Sequence, residues 1–177
     1  MSPTVRVGEI ATLVSNLVDQ LTQRLAADDA PARLVVGLVG APGSGKSTIA
    51  EQLEAGLEAA GIFAGLVPMD GFHLSDAVLN ELGSHDRKGA PETFDVEGYL
   101  ATLDRVRADG AKQVLVPVYR RDLHEPVAAG RIVTGPGAVI TEGNYLALET
   151  RGWGAVRERI DLLIHIDVPE EVLVPRL

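Results

Sequence analysis

The apolar run Leu34-Val35-Val36-Gly37-Leu38-Val39 shows no alternation and passes directly into Gly40-Ala41-Pro42-Gly43-Ser44-Gly45-Lys46-Ser47. A strand without alternation has both faces buried, the condition of a central strand in a parallel sheet. Beyond the glycine-rich segment, Ile49, Leu53 and Leu57 fall at the spacing of a helix with one buried face. Strand, glycine loop and helix in that order are the context a phosphate-binding loop requires. Its glycines let main-chain N–H groups converge on phosphate oxygens, and the helix N-terminus adds a favourable dipole. Lys46 is then spaced to reach β- and γ-phosphates, and the Ser47 hydroxyl to ligate Mg²⁺. Gly40, Ala41, Pro42, Gly43, Ser44, Gly45, Lys46, Ser47 and the adjoining Thr48 are the nucleotide-binding candidates.

Four more apolar runs follow, at Ile62–Val67, Val114–Tyr119, Ala138–Thr141 and Leu162–Ile166. Helical stripes lie around and between them. Val7, Ile10, Leu13, Val14, Leu17, Val18, Leu21 and Leu25 mark an N-terminal helix over 5–28, and Val96, Leu100, Leu103 and Val106 mark another. Gly61 and Gly110 sit where helix C-caps are expected. Strands alternating with helices predict an α/β three-layer sandwich around a mostly parallel five-stranded sheet. The 177 residues suit one domain, with the helix at 5–28 leading into a core over 33–177. Two long connections, Ser75–Glu97 and Arg120–Pro136, follow strands on the edge where such sheets bind ligands. The second has the character of a loop or hairpin leaving the sheet.

Charge narrows the range of partners. Sixteen basic against 25 acidic residues give 16 − 25 = −9, a balance that repels nucleic-acid polymers and anionic membrane surfaces. There is no cysteine, so disulfides, thiol nucleophiles and cysteine-bound zinc are excluded. The first residues lack the basic cluster, apolar core and cleavage site of a targeting signal. Apolar runs such as Leu34–Pro42 are far too short to span a membrane. The expectation is a soluble, cytoplasmic protein. The four histidines fall at no metal-ligand spacing; His165, inside a strand, reads as structural, and Trp153 as a packing residue.

A phosphate-binding loop alone does not distinguish hydrolysis, switching or transfer. A guanine-specifying Asn-Lys-x-Asp run is missing, and the Asp-x-x-Gly matches at Asp86–Gly89 and Asp95–Gly98 do not follow apolar strands. The strand-end acid is Glu142, in Thr141-Glu142-Gly143-Asn144, where a carboxylate can hold Mg²⁺ together with the loop serine. Asp70 ends the second strand in Met69-Asp70-Gly71-Phe72-His73. That position suits either a base for an acceptor hydroxyl or a turn aspartate before glycine.

The phosphate loop, Asp70-Gly71-Phe72-His73, Arg87-Lys88-Gly89-Ala90-Pro91-Glu92-Thr93-Phe94-Asp95 and Glu142-Gly143-Asn144-Tyr145 occur in that order. Together they resemble the uridine kinase/phosphoribulokinase/pantothenate kinase superfamily of P-loop kinases. The branch most similar holds bacterial fructose transport system kinase-like and nucleoside/nucleotide kinase-like proteins, and the likeness runs from about Leu34 onward. The resemblance implies ATP, Mg²⁺ and phosphoryl transfer to a small-molecule alcohol: a sugar, a pantothenate-like molecule or a nucleoside. It makes Asp70 the general base and puts Arg87 and Lys88 at the acceptor, where the alternative is a solvated basic loop. His73, Tyr119, Arg121, His124 and Asn144 complete the acceptor candidates.

Two departures qualify that implication. In Pro117-Val118-Tyr119-Arg120-Arg121-Asp122-Leu123-His124, Arg120 occupies the place of the family's Asp, unless Asp122 serves instead. Related kinases also continue past the last strand into a lid helix, whereas this sequence stops at Arg176-Leu177, within the helix expected after Pro169. Either the chain is trimmed or the lid is lacking. These departures keep two other functions open: an ATP-binding regulatory or accessory protein, and an acceptor-independent NTPase.

Overall fold

The elements run α1 (Ile10–Leu25), β1 (Arg33–Gly40), α2 (Lys46–Ala59), β2 (Phe63–Pro68), α3 (Asp76–Glu81), α4 (Val96–Ala108), β3 (Val114–Arg120), β4 (Glu125–Val133), β5 (Gly137–Gly143) and β6 (Leu162–Ile166). They belong to a computed structural model that describes residues 10–108, 110 and 112–168. The residues expected to begin the first helix, 5–9 with Val7, lie outside that range, as does the helix expected after Pro169.

Strand β1 is buried from Arg33 through Val39, as its unbroken apolar run requires. It pairs in parallel with β5 on one side and β6 on the other, and β2 pairs with β5, giving the order β2-β5-β1-β6. Successive β1 side chains enter opposite layers. Leu34, Val36 and Leu38 join Leu17, Leu21, Leu53 and Leu57 under α1 and α2. Val35 and Val39 join Leu103 and Val106 of α4 and Trp153 and Val156 of a 3₁₀ segment, Trp153–Arg159. A sheet covered on both faces is the expected three-layer α/β class.

The expected fifth parallel strand is a correction. Val114–Arg120 leaves the sheet and pairs antiparallel with β4, from Val114↔Val133 to Arg120↔Glu125. Among the described residues four strands, not five, make the parallel sheet. The reason lies in one-sided burial: Val114 and Val116 are buried while Leu115 between them is 55% exposed. Pro117, lacking an N–H, also fits a two-stranded ribbon better than the middle of a sheet. The second long connection is thus largely the returning arm of a hairpin. Its base is tied to the sheet by Thr134, whose N–H donates to Ala64 O at 2.9 Å.

Helix ends follow their sequence signals. Gly61 N–H donates to Glu58 O at 2.9 Å and Ile62 N–H to Leu57 O at 3.0 Å, closing α2. Asp95 caps α4 through Oδ1, which accepts from Gly98 N–H at 2.8 Å. That cap is what the second Asp-x-x-Gly match does.

Arg33, 2% exposed, is the unexpected core residue. Its guanidinium donates to Gly135 O (2.8 Å), Val106 O (3.2 Å), Gly110 O (3.1 Å) and Lys112 O (2.7 Å). It thereby joins β1, the end of α4 and the turn before β5. Arg33→Met strands these carbonyls without donors and lowers stability by about 3 kcal/mol or more, measured by urea or thermal denaturation.

Candidate active site

Parallel strands bring their C-terminal ends to one edge, and ligands bind at that edge in open α/β sheets. Here β1 ends in the glycine loop at Gly40, β2 ends at Pro68 just before Asp70, and β5 carries Glu142 one residue from its end. Helix α2 begins at Lys46 on an N-cap Gly45 with φ of 90°, which only glycine adopts without strain, and no side chain caps its first turn. Ser44 Oγ is buried with no hydrogen-bond partner among the described residues. Uncapped first-turn amides beside an orphaned hydroxyl make a cradle suited to phosphate oxygens. Lys46 is buried at 8% exposure, and its Nζ donates to Gly40 O and Ala41 O, both at 3.0 Å. Burial lowers its pKa, while Glu142 and Asp70 act in the opposite direction.

Ser47, Asp70 and Glu142 line a single cleft. Burial raises the pKa of Glu142, and the neighbouring Asp70 adds to the rise; Lys46 and Arg121 counter it. Glu142 and Lys46 are therefore both poorly solvated, with Asp70 near enough to act on each. Among the described residues no group of three or more His, Asp or Glu side chains is arranged to hold a metal. A Mg²⁺ here fits Ser47 and one or two carboxylates, with phosphates and water as its other ligands, which is how that ion is commonly bound.

The acceptor candidates divide into two groups. Tyr119 and Arg121 line the same cleft as Asp70. The His73 ring lies 4.0 Å from that of Phe94 and 4.8 Å from that of Tyr119, with Nδ1 2.8 Å from Asp70 O. Gly71 permits this packing, because a Cβ there would collide with Pro117 O of the hairpin. Asn144, half-buried just past Gly143, makes no side-chain hydrogen bond among the described residues. The other candidates are engaged elsewhere. Lys88 pairs with Asp76, donates to His124 O at 2.5 Å and sits 5.6 Å above the Tyr119 ring. His124 meets it through this carbonyl, at a φ of 54°. Arg87 pairs with Glu92, which Arg151 also reaches at 3.1 Å. Asp122 is held by Arg120 through two bonds of 2.8 and 2.7 Å, with both side chains exposed.

Sequence reading missed Glu51, Glu54 and Arg131, which line the cleft with Ser47. The glutamates carried a signal, since 47, 51 and 54 share one helix face. Arg131, 3.7 Å from Glu54, carried none, because only the hairpin brings β4 beside α2. Trp153 packs as expected and donates Nε1–H to Pro91 O at 3.1 Å. His165 lies on β6 with its side chain exposed.

Fold and loop define a P-loop protein whose strand ends carry acids suited to phosphoryl chemistry. The chain belongs to the phosphoribulokinase/uridine kinase family, whose model matches residues 35–176. It is 37% identical over 147 residues to YggC of Escherichia coli (strain K12), described as uncharacterized, covering 82% of this chain and 60% of that protein. It is 32% identical over 170 residues to pantothenate kinase of Serratia proteamaculans (strain 568), covering 90% of this chain and 54% of the kinase. The chain thus spans between half and two thirds of these relatives. A solved candidate fructose transport system kinase from Silicibacter sp. TM1040 superposes with a TM-score of 0.82 at 37% identity, covering 93% of this chain and 79% of that one. The fold is also that of a candidate uridine kinase from Bacillus stearothermophilus, with a TM-score of 0.65 at 23% identity and coverages of 95% and 86%.

The raised pKa of Glu142 gives a test with a definite sign. A carboxyl whose folded pKa is raised favours folding below its unfolded value, and loses that contribution as pH rises through the folded value. Glu142→Gln therefore raises the thermal midpoint of the nucleotide-free protein at neutral pH. The gain over wild type closes as pH falls below the carboxylate range, which a pH series of thermal melts checks.

Proposed function

We propose that the chain transfers the γ-phosphoryl group of ATP to a hydroxyl of a small molecule. The observation that carries this reading is the meeting of Lys46, Ser47, Asp70 and Glu142 at one end of the parallel sheet. The loop amides from Gly40 to Thr48 bind the phosphates. Lys46 leaves its two loop carbonyls to pair with the β- and γ-phosphates. Ser47 and Glu142 hold Mg²⁺, which when bound neutralises charge on the transferring group. Asp70 lies beside these groups and accepts the acceptor's hydroxyl proton.

Tyr119 and Arg121, with His73 packed against Tyr119, form the acceptor wall, and Asn144 follows two residues after Glu142 as a further acceptor candidate. Lys88 braces Tyr119 of that wall through its place over the ring, while Arg87 is held by Glu92 in the same connection. Sugars, pantothenate-like molecules and nucleosides are the acceptor classes the family supplies. A second reading, an ATP-binding accessory protein, draws on one observation: Arg120 replaces an expected carboxylate and neutralises Asp122.

ADP formation measured against a panel of sugars, pantothenate and nucleosides separates the readings. At least one acceptor is expected to stimulate turnover. Asp70→Asn is expected to lower that turnover by roughly 10²–10⁴-fold while nucleotide binding persists. Binding without acceptor-dependent turnover selects the accessory reading. Phosphate release that no acceptor changes selects an NTPase.

A further inference from the structure

Resting on the kinase reading, we propose that Tyr99 and Thr141 are positioning residues that set the spacing of Asp70 and Glu142 for the divalent cation. Both are fully buried, at 0% exposure, yet both carry hydroxyls. Tyr99 OH lies 2.5 Å from Thr141 Oγ1, and Thr141 Oγ1 donates to Val67 O at 2.7 Å. That second bond spends the threonine's only proton, so the tyrosine is the donor of the first. The chain runs in one direction: Tyr99 OH to Thr141 Oγ1 to Val67 O.

Its place in the fold ties it to the carboxylates. Val67 and Thr141 face each other across the β2–β5 ladder, and the next pair is Pro68 and Glu142. Pro68 has no amide hydrogen, so the threonine hydroxyl adds a cross-strand tie one step from the site. Glu142 follows Thr141 directly, and strand geometry sends the two side chains to opposite faces. Thr141 points to the α4 layer while Glu142 faces the cleft with Ser47. The Tyr99 ring meets Phe72 edge-on at 5.0 Å, two residues beyond Asp70. One residue of α4 therefore holds both acid-bearing segments, one through its hydroxyl and the other through its ring.

Packing alone does not account for this arrangement. A valine at 141 and a phenylalanine at 99 would fill the same volumes with no polar group to satisfy. Partners that orient metal ligands from behind typically influence cation affinity by 10–100-fold. The property at stake is the Mg²⁺ concentration at which the protein binds nucleotide.

The test uses the full chain and a fluorescent ATP analogue, titrated with Mg²⁺ and read by anisotropy, with thermal midpoints recorded alongside. Thr141→Val and Tyr99→Phe are expected to raise the half-saturating Mg²⁺ concentration by roughly tenfold. Thr141→Ser, which keeps the hydroxyl, is expected to restore it. If Thr141→Val unfolds the protein, Tyr99→Phe carries the same measurement. Variants that bind at the wild-type Mg²⁺ concentration, whatever their thermal midpoints, overturn this proposal and leave the kinase reading standing. Wild-type binding that ignores Mg²⁺ also overturns this proposal, and a chain that binds no nucleotide at any Mg²⁺ concentration overturns the kinase reading with it.

Discussion

Burial of β1 on both faces is the constraint from which the rest follows. A strand that must be covered above and below needs neighbours on each edge and helices on each side. The parallel sheet with α1 and α2 on one face and α4 on the other meets that need. Parallel strands then send their C-terminal ends to one edge. The same requirement that buries Val36 and Val39 delivers the glycine loop, Asp70 and Glu142 to a common place. Function at that edge is a by-product of how an apolar strand avoids water.

Charge at that edge is held at a cost the fold absorbs elsewhere. Lys46 and Glu142 are both disfavoured in their ionised forms by burial, and each partly relieves the other. The ammonium meanwhile rests on the carbonyls of its own loop. Such a site is poised: an incoming polyphosphate would give the ammonium a better partner than neutral carbonyls, since charge-assisted bonds are the stronger ones.

The chain's seven aromatic residues are used unevenly. All except Phe63 belong to a run of ring contacts that begins at Tyr119 and His73 and passes through Phe94 to Tyr145 and Trp153, with Tyr99 and Phe72 behind. Tyr145 OH donates to Gly89 O at 2.7 Å and Trp153 Nε1–H to Pro91 O, so the connection between α3 and α4 is seated on this cluster. A stretch with little core pattern of its own thus acquires a defined path. Lys88 and Glu92 add ion pairs at its two flanks.

What the sequence determined by itself was whatever depends on local order: the buried strand, the glycine loop, the amphipathic helices, the glycine that closes α2, and the acids at or just past strand ends. Each follows from neighbours within a few positions, where periodicity and glycine geometry act directly. The tertiary structure alone decided which apolar run joins the sheet, because Val114–Tyr119 reads like a core strand until its one-sided burial is known. It alone turned Lys88 from a free cation into the partner of Asp76 and His124 O, across 12 and 36 positions. It alone brought Tyr99 to Thr141, 42 positions away, and Arg131 to Glu54. Such contacts depend on how layers pack and hairpins return, and no local pattern encodes the distance between two residues that meet only after the chain has folded.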